Sequence, residues 1–81
     1  MVQLIWIDLS GSNLSEAKLC AVSLMGTNLS GSNLSSADWR EANLDRTNLE
    51  KANLKDAKLD GAILKETKLT GAIMPDGTTH E

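Results

Sequence analysis

The 81-residue sequence has few of the side chains that usually build a globular core. It contains no Phe and no Tyr, two Trp, one Cys, one Pro and one His. Because two indoles cannot fill a core, another side chain must supply most of the buried apolar surface. The lone Cys excludes an internal disulfide and favours a reducing compartment.

The opening segment lacks the features of a targeting or membrane-spanning segment. Gln3 and Asp8 interrupt its apolar residues, and no basic residue precedes them, in contrast to a signal peptide. No apolar run in the sequence approaches the roughly 20 residues of a membrane span. We therefore predict a soluble, cytoplasmic protein in which residues 1–81 form one domain.

Residues suited to chemistry are also few. Eleven acids and eight bases give a formal net charge of −3, which disfavours direct binding to nucleic acid through its phosphates. His80 lies far along the chain from Cys20, so the sequence indicates neither a zinc site nor a Cys–His pair. It predicts no enzyme activity, no metal, no cofactor and no small-molecule substrate.

What the sequence does contain is a strict five-residue period. All thirteen leucines fall in one register, and the two remaining positions of that register hold Trp39 and Met74. A small or β-branched residue stands two positions before each of these central residues. The leucines lie at positions 4, 9, 14, 19, 24, 29, 34, 44, 49, 54, 59, 64 and 69.

Neither regular element accommodates this period. On an α-helix, five residues advance by about 500°, so successive leucines would spiral around the helix and form no apolar face. On a flat strand, an odd period places successive leucines on opposite faces. The conflict disappears if the main chain turns a corner in every five residues. All leucines then point to a common axis, and glycines occupy corner positions.

This pattern resembles the repeat of the pentapeptide-repeat family, and the resemblance runs from about Val2 to Met74. It is strongest to short cyanobacterial members, whose roles are mostly unassigned. The resemblance implies an all-β fold, a right-handed quadrilateral β-helix of nearly four coils with twenty residues each. Residues 75–81 would then form a C-terminal cap and tail. The clearest repeats are Ser12-Asn13-Leu14, Ala42-Asn43-Leu44, Thr47-Asn48-Leu49 and Ala52-Asn53-Leu54.

A twenty-residue coil also has support from the residues themselves, since residues 9–15 recur identically at 29–35. In the resulting stack, we expect the Asn side chains to bond to local main chain at the corners. Trp39 is larger than a leucine, so the coil should widen there or the indole should tilt toward an edge. Ion pairs are expected between coils: Arg40 with Asp60, Asp45 with Lys65, Arg46 with Glu66, and Asp38 with Lys18 and Lys58.

The two halves of the chain differ in charge. Asp8, Glu16 and Lys18 are the only charged side chains before position 38. Apolar residues occupy outward or corner positions in this region, and such a patch is typical of an association surface. We predict that the N-terminal coil contacts a protein partner or a second copy of the chain, which would give a homodimer. The alternative is that Trp6 folds over the open end as a lid. The candidate interaction surface consists of Ile5, Trp6, Cys20 and Met25.

Three functions are compatible with these observations. The first, which we favour, is a non-enzymatic structural or protein–protein interaction module. The second is implied by the resemblance, since some pentapeptide-repeat proteins look like DNA and bind type II topoisomerase (gyrase), protecting it from quinolones. The acids here are interspersed with lysines, which weakens that interpretation. The third, ice binding, is disfavoured because Thr27, Thr47 and Thr67 point inward in this register.

Overall fold

The computed structural model describes residues 3–81. In that range the main chain forms no helix and no continuous strand, and β-pairing is confined to isolated bridges. Eleven parallel bridges join residues that are twenty apart, from Gln3–Ser23 to Asn53–Ile73. The predicted twenty-residue coil is therefore present, and we call each such coil a rung. The expected short strands are reduced to single bridging residues, because a turn takes up the rest of each five-residue unit.

A tight turn separates successive bridges. From Leu9 onward, the residue three positions after each central residue donates its amide to the central carbonyl, as Ser12 N does to Leu9 O at 3.2 Å and Ala42 N to Trp39 O at 2.9 Å. The third turn residue has a positive φ, such as 70° at Gly11. A positive φ at this position is the geometry of a type II turn. The chain thus bends in every five residues, as the leucine period predicts.

The turns divide the stack into four sides, which we number by the residues that form their bridges. Residues of one side lie above one another at intervals of twenty, so each side is a column of bridging residues. These are Gln3, Ser23, Asn43 and Ile63 on side 1; Asp8, Asn28, Asn48 and Lys68 on side 2; Asn13, Asn33, Asn53 and Ile73 on side 3; and Lys18, Asp38 and Lys58 on side 4.

Leucine side chains fill the axis of the stack. In the middle rungs the leucines from Leu24 to Leu54 are at most 1% exposed, and Ala37, Ala42 and Ala52 fill the space beside them. The leucines toward both ends are only partly buried. Burial of apolar surface stabilises a fold by about 25 cal/mol per Å², so this contribution is concentrated in the middle of the stack.

The interior threonines tie adjacent rungs together. Thr47 Oγ1 donates to Leu24 O at 2.7 Å, and Thr67 Oγ1 and Thr27 Oγ1 donate in the same way to the leucine carbonyls 23 residues earlier. Each such bond satisfies a hydroxyl inside the stack and contributes about 0.5–1.5 kcal/mol. The predicted inward direction of these threonines is confirmed, so they present no flat array to water.

The C-terminal tail leaves the path of the coil after Pro75. Gly77 has a φ of 87°, and the chain turns back so that Thr79 forms an antiparallel bridge with Ile73. Asp76 Oδ1 holds the turn by accepting from both N and Oγ1 of Thr78. The tail is thus a hairpin cap on the edge of side 3, where the sequence predicts only a cap followed by a polar terminus.

Trp39 stays inside the leucine column. Its side chain is fully buried, and its Nε1 has no hydrogen-bond partner. Of the two expected accommodations, a tilt of the indole toward an edge is wrong, since such a tilt would have exposed part of the ring. Local widening of the coil stays a prediction. A buried N–H without a partner costs about 1–3 kcal/mol, which the apolar surface of the indole must offset.

This arrangement predicts losses of different size for two substitutions of Trp39. Trp39→Ala should lower the free energy of unfolding by about 3–5 kcal/mol, because it leaves a large cavity. Trp39→Phe keeps a ring and removes the unpaired donor, so it should lose much less stability. Urea denaturation followed by circular dichroism measures both changes. Equal losses in the two variants would contradict this account of the buried indole.

Candidate functional site

Three of the four candidate residues share one corner of the stack. Ile5 and Met25 hold the first turn position after Leu4 and Leu24, and Trp6 follows Ile5 with a φ of 59°. An L-residue in this left-handed region costs about 1–2 kcal/mol. Trp6 is therefore held in an uncommon conformation that directs its side chain outward from the corner.

The Trp6 ring lies against the next rung. A Cβ built on Gly26 would be 2.3 Å from Trp6 Cε3, so the ring covers the glycine that occupies the same corner twenty residues later. The side chain is nevertheless 64% exposed. A lid over the leucines would be largely buried, so the ring contacts the outer corner and leaves most of its surface in water.

Two further residues define the surroundings of this corner. Ile7 is 39% exposed, although the sequence places it in the inward series, and it extends the apolar surface next to Trp6. Cys20 is exposed but belongs to the neighbouring corner, beneath Arg40. We use the term N-terminal patch for Ile5, Trp6, Ile7 and Met25, with Cys20 outside it.

The contact between Trp6 and Gly26 can be tested with a matched pair of substitutions. Gly31→Ala should cost about 1 kcal/mol, because φ is 66° and a Cβ there would meet nothing within 4 Å. Gly26→Ala should cost more, since its Cβ would displace the Trp6 ring. Chemical denaturation measures both losses. The excess should vanish in Trp6→Ser protein, and an excess that persists would contradict the contact.

Asn and Asp side chains order the corners around the stack. Asn13 Oδ1 accepts from Ser15 N at 3.2 Å, and Asn48 Oδ1 accepts from Glu50 N at 3.0 Å. The same bond, to the amide two residues on, recurs at the other Asn residues of the motif. The predicted role of Asn at the bends is confirmed. The additional residues with this bond are Asp8, Asn28, Asn33, Asp38, Asn43, Asn53 and Asp76.

Among residues 3–81 there are two ion pairs, and one differs from the prediction. Arg46 Nε lies 3.0 Å from Glu66 Oε2, as expected between rungs. Arg40 instead pairs with Asp38, at 2.7 Å from Nη2 to Oδ2 and 2.9 Å from Nε to Oδ1. The expected Arg40–Asp60 pair is wrong because Asp38 already accepts from Arg40 N at 3.1 Å, which brings the two side chains together. The expected pairs of Asp45 and Asp38 with lysines are likewise not formed within residues 3–81.

The Asp38 pair predicts a loss of stability in acid. Hydrogen bonds from the Arg40 guanidinium hold the pKa of Asp38 well below its usual range. A folded-state pKa below the unfolded value means that the carboxylate stabilises the fold above about pH 4. This contribution is lost as the pH falls through the folded-state value.

We therefore expect the thermal midpoint of the wild type to fall more steeply below about pH 4 than that of Asp38→Asn. Circular dichroism melts over a pH series provide the measurement. Arg40→Gln should flatten the profile in the same way, because it removes the partner of the carboxylate. Identical slopes in all three proteins would contradict a stabilising role for the pair.

The described residues assemble no recognisable reaction centre. In residues 3–81 no group of three His, Cys, Asp or Glu side chains lies close enough together to hold a metal ion. The same residues include no candidate membrane-spanning helix. One shallow depression opens to solvent along the corner between sides 2 and 3. It is lined by Ser30, Gly31, Asn48, Glu50, Lys51 and Thr70.

Comparison with known proteins places these features in a family. The family described as pentapeptide repeats matches residues 3–38 and 40–74, in eight copies. The structure of HetL from Nostoc sp. strain PCC 7120, described as a pentapeptide repeat protein involved in heterocyst differentiation regulation, is 40% identical with a TM-score of 0.64. That alignment covers 96% of this chain and 43% of HetL.

Two other solved structures extend the comparison. The pentapeptide repeat protein Rfr23 from Cyanothece 51142 is 38% identical with a TM-score of 0.74, over 91% of this chain and 54% of Rfr23. A pentapeptide repeat protein of the Arabidopsis thaliana thylakoid lumen is 25% identical with a TM-score of 0.55, over 98% of this chain and 70% of that one. No curated protein matches the chain. The chain thus spans about half the length of HetL and Rfr23.

Proposed function

Because the chain belongs to the pentapeptide-repeat family, we propose that it is a non-enzymatic interaction module that binds a protein through its N-terminal coil. The observation that carries this proposal is Trp6, a large apolar side chain that is 64% exposed on a corner of the stack. Tryptophan is among the residues that contribute most to binding when a partner removes them from water.

The main chain supports the patch by holding it in one conformation. Trp6 N donates to Met25 O at 3.1 Å, and Leu4 N donates to Ser23 O at 2.8 Å. These bonds attach the first described rung to the second. A side chain that is already positioned loses less conformational freedom when it binds, so more of its apolar contact is retained as affinity.

The distribution of charge favours an apolar contact at this end. Before position 38 the sequence has three charged side chains, and the other sixteen lie from Asp38 onward. Removing a charged side chain from water costs free energy and opposes binding. This cost is smaller at the N-terminal coil than at the C-terminal end of the stack, which carries more charged side chains. With twenty residues in each rung, we propose that the repeats form a rod of nearly four coils, with this neutral end presented to the partner.

The gyrase-binding alternative has no specific observation in its favour. The Arg46–Glu66 and Arg40–Asp38 pairs neutralise acids on the surface, whereas a DNA mimic depends on unneutralised negative charge. Inhibition of gyrase supercoiling by the purified chain would reverse this preference. We place the module in the cytoplasm, in keeping with the exposed, unpaired Cys20.

The proposal predicts the effect of removing the apolar patch. Trp6→Ser combined with Met25→Ser should shift the sedimentation profile to smaller species if the patch binds a second copy. If it binds another protein, immobilised wild type should retain a partner from a cell extract that the double variant does not retain. Circular dichroism checks that both proteins are folded. A monomeric wild type that retains nothing more than the variant would refute the proposal.

A further inference from the structure

The last rung exposes main-chain groups that earlier rungs hold in hydrogen bonds. On side 1, Leu44 N donates to Ile63 O at 2.9 Å, and Val22 O accepts from Asn43 N at 3.0 Å. Twenty residues after Leu44, Leu64 N has no main-chain partner within residues 3–81, and Ala62 O has none either. Unpaired groups at the edge of a sheet are a template for a further strand.

Side 3 shows how such an edge pairs with another segment. There the tail forms an antiparallel bridge at Ile73. Met74 N donates to Thr78 O at 2.7 Å, and Ala72 O accepts from His80 N at 2.8 Å. Met74 N and Ala72 O hold the same positions on side 3 as the open groups Leu64 N and Ala62 O, ten residues earlier, hold on side 1. An antiparallel segment placed in the same way along side 1 would therefore pair with its open main-chain groups.

The bridging residues of the last rung distinguish its edges. Side 2 ends at Lys68 and side 4 at Lys58, and lysine at an edge opposes pairing with an identical strand. The tail covers side 3. Side 1 ends at Ile63, which is 51% exposed, next to Leu64, which is 38% exposed. Of the four edges of the last rung, side 1 alone combines open main-chain groups with exposed aliphatic side chains.

We propose that this edge is a self-association site, at which a second copy of the chain pairs in antiparallel about a two-fold axis through Ile63. In this register Leu64 N of each copy donates to Ala62 O of the other, so one hydrogen bond is generated twice by symmetry. The two Ile63 side chains face each other as a cross-strand pair and lose contact with water.

The charges beside Ile63 suit a second copy better than an unrelated strand. Asp60 and Lys65 have opposite signs at opposite ends of the edge, and neither forms an ion pair within residues 3–81. Glu66 is already engaged by Arg46 at 3.0 Å. Antiparallel pairing places the corner of Asp60 against the other copy's corner of Lys65 and Glu66, and because Glu66 is engaged by Arg46, Lys65 is the partner available to Asp60.

The contact is small, since it involves one three-residue edge. Interfaces below about 1,200 Å² are typical of weak, transient association. The dimer should therefore be reversible, and its population should rise with concentration over the range of about 10 μM to 1 mM. It is formed at the opposite end of the stack from the N-terminal patch, so the two contacts are separable by substitution.

The first test compares Ile63→Lys with Gln3→Lys. Both place a lysine in the side 1 column, but at opposite ends of the stack. Sedimentation equilibrium should show at least a tenfold weaker dimer for Ile63→Lys and an unchanged dimer for Gln3→Lys. Each substitution is made in wild type and in Trp6→Ser, Met25→Ser protein, which separates this edge from the N-terminal patch. A wild type that stays monomeric at every concentration, or an unchanged dimer in Ile63→Lys, would overturn the proposal.

The second test reverses the flanking charges. Asp60→Lys or Lys65→Asp alone should weaken the dimer, because each places like charges together across the axis. Asp60→Lys combined with Lys65→Asp restores opposite signs and should restore the dimer to within about threefold. Thermal melts identify variants whose fold is lost. If the combined variant is no tighter than the single variants, the two-fold register is wrong.

Discussion

The hydrogen bond that closes each turn, from the amide three residues after a leucine to the carbonyl of that leucine, is the constraint on which the rest of the structure depends. It bends the chain once in every five residues, and only this bend lets an odd period place every leucine on one axis. The parallel bridges at intervals of twenty follow from four bends in succession. The inward threonines then reach the leucine carbonyls of the neighbouring rung.

The same turn imposes a local cost. Its third residue has a positive φ, and nine residues other than glycine adopt that conformation, including Glu16, Glu41 and Lys51. At about 1–2 kcal/mol each, this strain is comparable to the net stability of a small domain. The strain is tolerated because the buried leucines and the hydrogen bonds between rungs hold each corner in this conformation. The Asn side chains, bonded to the amide two residues on, hold the first part of the same bend.

The features that the sequence predicts are those fixed by spacing. The corner, the twenty-residue rung and the direction of Thr47 require only that leucines be buried and main-chain groups be paired. The Asn bonds are predictable for a related reason, since they involve atoms two residues apart. Only these local or strictly periodic contacts can be deduced without knowing which rotamer a side chain adopts.

The contacts that sequence reasoning misses involve a choice between close competitors. Arg40 could reach Asp60 on the next rung or Asp38 in its own repeat, and the shorter connection prevails. Trp6 could cover the leucine axis or the corner at Gly26. The direction of the tail depends on whether Gly77 continues the coil or reverses it. In each case one residue type is compatible with two geometries, and the arrangement of neighbouring atoms decides between them.

The uneven burial along the axis has a consequence for how the chain reaches this structure. Each rung touches only its immediate neighbours, so the stack behaves as a one-dimensional array in which order spreads from rung to rung. The fully buried leucines, from Leu24 to Leu54, lie in the middle. Folding should nucleate there and spread toward both ends of the stack. The residues of the outermost rungs, Trp6 and Ile63 among them, should be the last to become ordered and the first to unfold.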